Sequence, residues 1–252
     1  MGAGKLPVRS GVEDPGALAR LPAGVSVLTD PLELLTYQRD AGLEIGRPDA
    51  VVLVRSPEDV QRVVKWAGDR NTPLISRGAG TGTSGGAVAS CGGIVLSFAR
   101  MSRTLFVDVD DRIAVVEPGA INQAVDETAG RAGLFFPPDP ASGRSSTIGG
   151  NIAENAGGPR CAKYGVTANY IQGLTDVLAD GQTLELGGSV LDRPEYDFVG
   201  LLTGSEGTLA VTTAATLRLL RRPPANSVLM AGFASVETAG DAVSAIIAAG
   251  FI

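Results

Sequence analysis

The sequence predicts a fold that mixes α-helices and β-strands, and three observations support this expectation. A strand, a helix and two further strands are predicted over residues 50–97. Two pairs of short strands joined by tight turns are predicted over residues 104–117 and 170–186. Glycine-rich loops stand beside a strand or a helix start at three places in the chain. The 252 residues are enough for one large domain or two smaller ones.

The first unit begins with the continuous apolar segment 50–54, which is typical of a buried strand. A helix is expected to begin at Pro57, with Ser56 as its N-cap and Asp59 as the returning carboxylate of a capping box. Two further strands are predicted, at residues 73–76 and 93–97. The loop between them leaves the C-terminal end of a strand, where α/β sheets bind ligands.

That loop, residues 75–86, is the most unusual stretch of the chain. Its sequence is Ile-Ser-Arg-Gly-Ala-Gly-Thr-Gly-Thr-Ser-Gly-Gly. Glycine permits positive φ and close approach of the backbone to a ligand. Unpaired backbone N–H groups in such a loop form an anion site. The loop is therefore predicted to cradle a phosphate or pyrophosphate, and the alternative is a solvent-exposed flexible loop.

Two known phosphate motifs do not fit this loop. Gly80, Gly82 and Gly85 match the G-x-G-x-x-G dinucleotide fingerprint, and Asp108 lies downstream. The fingerprint requires a helix that begins at the loop, but residues 85–93 are glycine-rich and have no helical period. No Lys-Ser or Lys-Thr pair follows the glycines, so a P-loop is excluded as well.

A second unusual stretch, residues 135–170, is rich in proline and small residues. Within it, residues 151–155 are predicted as one helical turn, and its start at Gly149-Gly150 would direct a positive dipole end at a ligand. The alternative is a long surface loop. A third small-residue loop, at 204–208, precedes a strand predicted over 209–219.

The last residues predict the beginning of another unit. Residues 227–233 are expected to form a strand, and Ser235 to cap a helix over 236–249 that ends at Gly250. Phe251-Ile252 resembles the start of the next strand. A single strand and helix cannot bury their apolar faces alone. We therefore expect a second domain that is cut off after residue 252.

Composition and charge exclude several functional classes. The net charge of -6 argues against a nucleic-acid surface. No segment of about 18 consecutive apolar residues is present, so no transmembrane helix is expected, and Met1–Ser10 lacks the apolar region of a secretory signal. The chain has no histidine, the commonest metal ligand, and no metal site is expected. Cys91 and Cys161 fit a reducing cytosol, so the expected location is cytoplasmic.

Together these segments resemble the FAD-binding domain of the vanillyl-alcohol oxidase / p-cresol methylhydroxylase (PCMH-type) family, in the branch that contains the D-type subunit of glycolate oxidase and D-lactate dehydrogenase. The resemblance is carried by residues 77–86, 137–140, 147–158, 163–165 and 204–209. It implies an α+β fold in which FAD lies between two subdomains. The implied organisation is an N-terminal lead (1–47), an FAD-binding domain (48–224, with subdomains of about 48–103 and 104–224) and the start of a truncated C-terminal cap domain (225–252).

The resemblance also implies which residues contact FAD. The pyrophosphate loop and its continuation would comprise Ser76, Arg77, Gly78, Ala79, Gly80, Thr81, Gly82, Ser84 and Gly85. The flavin side would be lined by Pro138, Asp139, Ser142, Ser145 and Thr147. The diphosphate and ribose would be held by Ile148, Gly149, Gly150, Ile152, Glu154, Asn155 and Gly158. The adenine end would meet Glu206, Gly207, Thr208 and Val211.

The implied reaction is oxidation of a small 2-hydroxy acid such as glycolate or D-lactate, with hydride transfer to flavin N5. Some members of the family attach FAD through a histidine. Because this chain has none, noncovalent FAD is expected, and a thioether through Cys161 is the alternative. The groups that bind and activate substrate would lie largely in the cap domain, so no catalytic residue is assigned. Residues 1–252 are expected to bind FAD but to turn over substrate poorly or not at all.

A second function remains open, that of a non-catalytic FAD-binding subunit in a glycolate oxidase-like complex. The system it resembles pairs such chains with an iron–sulfur subunit, and partners of this kind would place the protein at the periphery of the inner membrane. A nucleotide-sugar reductase of the same fold (UDP-acetyl-enolpyruvyl-glucosamine type) is less consistent, because its central loop is much shorter than residues 135–170.

Overall fold

The computed structural model describes Val12, residues 21–189 and residues 196–250. The first of its two large sheets has the strand order β1-β2-β4-β3. Its strands are β1 (Ser26–Leu28), β2 (Ala50–Leu53), β3 (Leu74–Arg77) and β4 (Ile94–Ser97). β4 pairs in parallel with both β2 and β3, whereas β1 is antiparallel to β2. All residues of β2 and β4 are buried, which explains their nearly continuous apolar sequences.

Helix α2 (Pro57–Gly68) connects β2 to β3, and it begins at Pro57 as predicted. The Ser56 hydroxyl accepts a hydrogen bond from the backbone N–H of Asp59 at 3.3 Å. The predicted capping box is wrong in its second bond, because the Asp59 carboxylate accepts from the N–H of Arg55 at 3.1 Å. An aspartate is one methylene shorter than the Glu or Gln of a capping box and makes a different local bond.

The second large sheet is antiparallel, with the order β5-β6-β10-β8-β9. Its strands are β5 (Thr104–Asp108), β6 (Ile113–Val116), β8 (Ile171–Val177), β9 (Thr183–Gly187) and β10 (Val211–Arg218). Both predicted hairpins, β5–β6 and β8–β9, are confirmed. β10 pairs with β6 on one side and β8 on the other, so it ties the two hairpins together.

The remaining elements are short except for two helices. They are α1 (Pro31–Leu34), α3 (Asn122–Gly130), β7 (Leu134–Phe135), α4 (Ile148–Ala153), α5 (Cys161–Tyr164), α6 (Phe198–Leu202), β11 (Leu220–Arg221), α7 (Val236–Ala248) and the 3-10 turns Leu35–Tyr37 and Thr167–Tyr170. β7 and β11 form a small separate pair. Residues 78–93 contain no helix, so the structure confirms that the glycine loop is not a dinucleotide fingerprint.

Helix α2 lies between the two large sheets. Its buried residues share one core with the first sheet and with Val177 of β8 and Val211 of β10. At its exposed side, Gln61 Nε2 donates to Thr183 Oγ1 of β9 at 2.7 Å. A second core lies between the antiparallel sheet and helices α3 and α4. Because α2 contacts both sheets, it fixes their relative position and leaves a cleft beside the end of β3.

Two sequence predictions are corrected by the structure. Helix α4 begins at Ile148, because Thr147 rather than a glycine supplies its N-cap. Residues 227–233 form no strand, because no described strand pairs with them and all of them are exposed. Helix α7 and its Ser235 cap are confirmed, and Gly250 has the positive φ of a helix C-terminal glycine. The strand expected at 251–252 lies outside the described residues.

Candidate functional site

A cleft between the two large sheets contains most of the predicted site residues. It has two adjoining parts, which we name the apolar chamber and the glycine chamber. The apolar chamber holds about 590 Å³, part of it open to solvent, and is lined by residues that include Phe98, Pro118, Ile152, Asp176, Leu202 and Val211. The glycine chamber holds about 840 Å³, also partly open, and is lined along one side by residues 78–83. The chambers share Ser76, Gly78, Thr147, Gly150, Ala153 and Glu206.

The glycine loop presents a run of unpaired backbone donors to its chamber. In the described structure, the N–H groups of residues 78–84 make no hydrogen bond to protein. The next donor along the chain is Gly85 N–H, which is bound to Asp40 Oδ2 at 3.0 Å. Because a buried or half-buried N–H group is costly to leave unpaired, this run of donors fits an anionic ligand such as a diphosphate.

Arg77 holds the loop in place and does not reach into the chamber as a phosphate ligand. Its guanidinium donates to the carbonyls of Ala87 at 3.0 Å and Arg39 at 2.7 Å, and lies over the Tyr37 ring. The side chain is buried, and this burial lowers the pKa of the guanidinium. The Arg77 side chain is thus a structural brace inside the loop, which the sequence pattern did not distinguish from a ligand contact.

The two chambers meet where Gly78 touches Thr147. A β-carbon on Gly78 would overlap the Thr147 hydroxyl oxygen, so only glycine fits here without rearrangement. Thr147 is itself fixed, because its Oγ1 accepts from Gly150 N–H at 3.2 Å and it forms a β-bridge with Ile121. Gly78 and Thr147 line both chambers, so this contact lies on the wall that the two chambers share.

The start of helix α4 offers fewer donors than the sequence suggested. Gly149 N–H donates to the Pro118 carbonyl at 2.7 Å, and Gly150 N–H to the Thr147 hydroxyl. Ile148 N–H donates to the Ala120 carbonyl at 2.8 Å. We expected the backbone N–H groups at this helix end to be free to bind an anion. The structure does not support this, because these N–H groups already bond to residues of the loop that precedes α4.

Two carboxylates face the glycine loop from the opposite wall. Glu154 Oε1 accepts from the Ser84 hydroxyl at 2.7 Å. A β-carbon on Gly86 would lie 3.2 Å from Glu206 Oε2 and 3.6 Å from Glu154 Oε1. Glu206 has a left-handed backbone, with φ of 54°, which is unusual for a residue other than glycine. Carboxylates in this position can accept hydrogen bonds from sugar hydroxyls beside a bound diphosphate.

Asp176 was not predicted from the sequence. It lies on β8, is fully buried, and lines the apolar chamber. Neither of its carboxylate oxygens has a hydrogen-bond partner in the described structure. Burial raises the pKa of this carboxyl to about 6, and the polar side chain of Thr212, opposite Asp176 on β10, lowers it by a smaller amount. The available signal was that Asp176 is the only charged residue in the strand 171–177.

The structure brings together sixteen of the predicted cofactor residues in this cleft. These are Ser76, Arg77, Gly78, Ala79, Gly80, Thr81, Gly82, Ser142, Thr147, Gly149, Gly150, Ile152, Glu154, Glu206, Gly207 and Val211. Ser84 reaches the cleft through its bond to Glu154. Six others line neither chamber: Gly85, Ser145, Ile148, Asn155, Gly158 and Thr208. Of these, Ile148 is fully buried in the core of the antiparallel sheet.

Pro138 and Asp139 lie elsewhere. They line a separate pocket of about 860 Å³, partly open to solvent, that shares no residue with the two chambers. Asp139 pairs with Arg160, with Oδ2 and Nε 3.1 Å apart. The apposed backbone of Gly158 packs so closely on Asp139 that a β-carbon would overlap its carbonyl. The two predicted flavin-side residues therefore support the loop that precedes α4 instead of lining the cleft.

The described residues contain neither a cluster suited to a metal ion nor a helix suited to span a membrane. No group of three or more Cys, Asp or Glu side chains is arranged to hold a metal ion there. Within the same ranges, no helix combines the length and apolar character needed to cross a membrane.

Two curated proteins show the relationship of this chain to known enzymes. Over 238 residues the chain is 42% identical to glycolate oxidase subunit GlcD of Escherichia coli K12, an alignment that covers 94% of this chain and 48% of that relative. Over 194 residues it is 43% identical to D-lactate dehydrogenase of Archaeoglobus fulgidus, covering 77% and 43% of the two chains. The chain thus spans about half the length of the curated relatives it matches.

A solved structure and a family match complete the comparison. The solved structure of alkyldihydroxyacetonephosphate synthase superposes with a TM-score of 0.76 over 89% of this chain and 44% of the other. At 24% identity it supports the α+β fold alone. Residues 48–187, more than half of the chain, match the family described as FAD binding domain. The chain therefore belongs to this PCMH-type FAD binding domain family, and its cofactor is FAD.

Proposed function

We propose that this chain is the FAD-binding part of an oxidoreductase that oxidises small 2-hydroxy acids such as glycolate or D-lactate. The observation that carries the proposal is the run of unpaired N–H groups at residues 78–84, of which residues 78–83 line one side of the cleft. A cradle of backbone donors suits the diphosphate in the middle of FAD. The apolar chamber adjoins this cradle and offers space for one of the two ring systems of FAD.

Different residues of the cleft would hold different parts of FAD. The amides of 78–84 would bind the diphosphate, and the carboxylates of Glu154 and Glu206 would accept from ribose hydroxyls. When bound, FAD supplies the two-electron acceptor of the reaction. The protein positions it and shields it from water. Residues 48–224 would form the unit that does this, with subdomains that meet at about residue 103.

The cofactor is proposed to be noncovalent. The chain has no histidine for a histidyl link. Cys161 lines neither chamber, and its Sγ accepts from Gly158 N–H at 2.9 Å within the turn that leads into α5. The geometry thus gives the thiol a local structural role and no position beside the cleft.

The substrate class is supported by the relatives, whose names include glycolate oxidase and D-lactate dehydrogenase. Residues 225–252 are proposed to begin a further domain. This is supported by the exposure of Val228, Leu229 and Met230, which are 96%, 87% and 95% exposed. Such apolar side chains are consistent with packing against additional protein. The catalytic groups are proposed to lie in that domain.

The first experiment is an absorbance scan of the purified chain from the near ultraviolet into the visible, before and after acid precipitation. Flavin bands that move to the supernatant are expected, and they would establish noncovalent FAD. Bands that stay in the pellet would contradict this and implicate Cys161, for which Cys161→Ser is the check and Cys91→Ser, an exposed thiol, the control. A folded protein that fails to take up added FAD would overturn the proposed cofactor site.

The second experiment separates the enzyme from its alternative, a non-catalytic FAD-binding subunit. The complete gene product, loaded with FAD, is mixed anaerobically with glycolate, D-lactate or L-lactate, and bleaching of the visible flavin band is followed. Bleaching by glycolate or D-lactate is expected, whereas residues 1–252 alone should bleach only with a chemical reductant. A complete product that is not bleached by either acid would favour the subunit role. An iron–sulfur partner subunit, with a cytoplasmic or peripheral inner-membrane location, would then be tested by affinity purification and iron analysis.

A further inference from the structure

Asp176 carries a buried carboxyl group that makes no hydrogen bond within the described residues. Both of its oxygens lack a protein partner, and the residue is fully buried. Within the antiparallel sheet its Cα lies opposite Thr212 of β10 and Leu184 of β9. A buried polar atom is normally satisfied by protein, water or a ligand, so the partner of Asp176 is expected in the space that it lines.

That space is the apolar chamber. Its walls include Phe98, Pro118, Ile152 and Leu202, which suit the faces of a flat aromatic ring. Among the residues that line it, Arg77 is the only cation, and its guanidinium is bound to two carbonyls. Asp176 therefore has no counter-ion in the chamber, and it offers either two acceptors or, when protonated, one donor and one acceptor.

We propose that Asp176 recognises the adenine ring of FAD by accepting a hydrogen bond from its exocyclic amine. This inference rests on the proposed binding of FAD in the cleft. FAD has two ring systems, and the edge chemistry distinguishes them. The pyrimidine edge of the isoalloxazine carries one N–H between two carbonyl oxygens, so an ionised carboxylate that accepts from this N–H also lies beside an oxygen that repels it. Adenine presents an amine with two N–H donors next to an unprotonated ring nitrogen, so an ionised carboxylate can accept from the amine, and a protonated carboxyl can in addition donate to the ring nitrogen.

The position of the chamber agrees with this assignment. Asp176 lies on the side of the chamber formed by Val211 and Thr212. Residues 78–83, whose amides are unpaired, line the adjoining glycine chamber, and the two chambers share Gly78 and Thr147 among their lining residues. A ligand whose diphosphate occupies the glycine chamber would therefore place one of its two ring systems beside Asp176.

The test compares FAD with its purine analogue, in which a hydrogen atom replaces the exocyclic amine and no new donor is introduced. Apoprotein is titrated with each dinucleotide, and the dissociation constants are measured from flavin fluorescence. The wild-type chain should prefer FAD by on the order of tenfold or more, since the analogue lacks the N–H donor and would leave the buried carboxyl unsatisfied. In Asp176→Leu this preference should fall to a ratio near one, and in Asp176→Asn it should be reduced.

The control variant is Glu185→Gln, which removes a carboxylate from exposed β9 outside the cleft and should keep the wild-type ratio. The melting temperature of each apoprotein distinguishes a structural role of Asp176 from a role in ligand binding. If Asp176 serves the ligand, removing its buried carboxyl should leave the apoprotein at least as stable as the wild type while weakening FAD binding.

Four results would contradict the inference, and they lead to different conclusions. Equal affinities of the wild type for FAD and its analogue would overturn the inference and leave FAD binding intact. An unchanged preference in both Asp176 variants would also overturn it. Loss of apoprotein stability in Asp176→Asn, with the preference retained, would assign the residue to the fold. Failure of the wild type to bind either dinucleotide would reject the proposed function itself and, with it, this inference.

Discussion

Arg77 and Gly80 are complementary in shape within the glycine loop: the guanidinium of Arg77 occupies the space that a β-carbon on Gly80 would need. Gly80 also has a φ of 69°, a conformation that costs other residues about 1–2 kcal/mol. The side chain that shapes the loop and the residue that lets it turn are thus a matched pair. This relationship explains how a glycine-rich segment holds its backbone amides in one arrangement.

We therefore expect Gly80→Ala to destabilise the chain and to weaken FAD binding. The substitution adds steric displacement of Arg77 to the cost of positive φ, so the loss of unfolding free energy should exceed about 1–2 kcal/mol. The measurement is denaturant unfolding of the apoprotein together with FAD titration. Gly133→Ala is the matched control, because Gly133 has a φ of 70° but open space around it. Equal losses in the two variants would contradict the role of Arg77.

Arg77→Lys should weaken FAD binding without removing a phosphate contact. Lysine cannot donate to the carbonyls of Ala87 and Arg39 in the same planar geometry, so the loop amides lose their brace. Charge-assisted hydrogen bonds contribute about 1.5–3 kcal/mol, and a decrease of roughly tenfold or more in FAD affinity is expected. The salt dependence of FAD binding should stay as in the wild type. A shallower dependence on salt would mean that Arg77 contacts the diphosphate after all. The control is Arg70→Lys, because Arg70 follows the end of α2, lies over the Trp66 ring and lines neither chamber.

Gly78→Ala should block the passage between the two chambers. Its β-carbon would overlap the Thr147 hydroxyl, so FAD affinity should fall by on the order of a hundredfold if the ligand runs through this point. The double variant Gly78→Ala/Thr147→Ala removes the overlapping oxygen and should recover part of the affinity. Thr147→Ala alone measures the lost helix cap, which costs about 0.5–2 kcal/mol. Additive effects in this double-mutant cycle would show that the contact does not control the passage.

The stability of the apoprotein should depend on pH through Asp176. Its pKa is about 6 in the folded chain against an ordinary value of 3.8. Between these two values the folded chain binds more protons than the unfolded one, so this group makes stability fall as pH rises from about 4 to about 6. The cost is absent at lower pH and complete above about pH 6. At about 1.4 kcal/mol per pH unit, this difference amounts to about 3 kcal/mol.

The measurement for this prediction is the unfolding free energy of wild type and Asp176→Asn across that range, without FAD. The variant should gain stability relative to the wild type as pH rises, because asparagine does not ionise. If the unfolding free energies of the two proteins change in parallel with pH, the prediction is contradicted. Added FAD should reduce the difference, since a bound amine would satisfy the carboxylate.

Much of the architecture could be predicted because it depends on local patterns. The buried strands at 50–53 and 94–97 are continuous apolar runs, and the Ser56 and Ser235 caps are read from neighbouring residues. The prediction of a strand at 227–233 is wrong because a strand depends on a partner elsewhere in the structure as well as on its own sequence. Its sequence has strand character, but a strand requires a neighbour for its backbone hydrogen bonds, and no described strand pairs with it.

The sequence by itself determined the glycine loop at the end of β3, the order of the small-residue segments and the family that they resemble. Glycine content, periodicity and motif order are properties of neighbouring residues, so they are visible without coordinates. The tertiary structure decided that Arg77 turns inward, that the amides of α4 are already paired, and that Asp176 is buried beside an apolar chamber. Each of these depends on atoms brought together from distant parts of the chain, which no local pattern specifies.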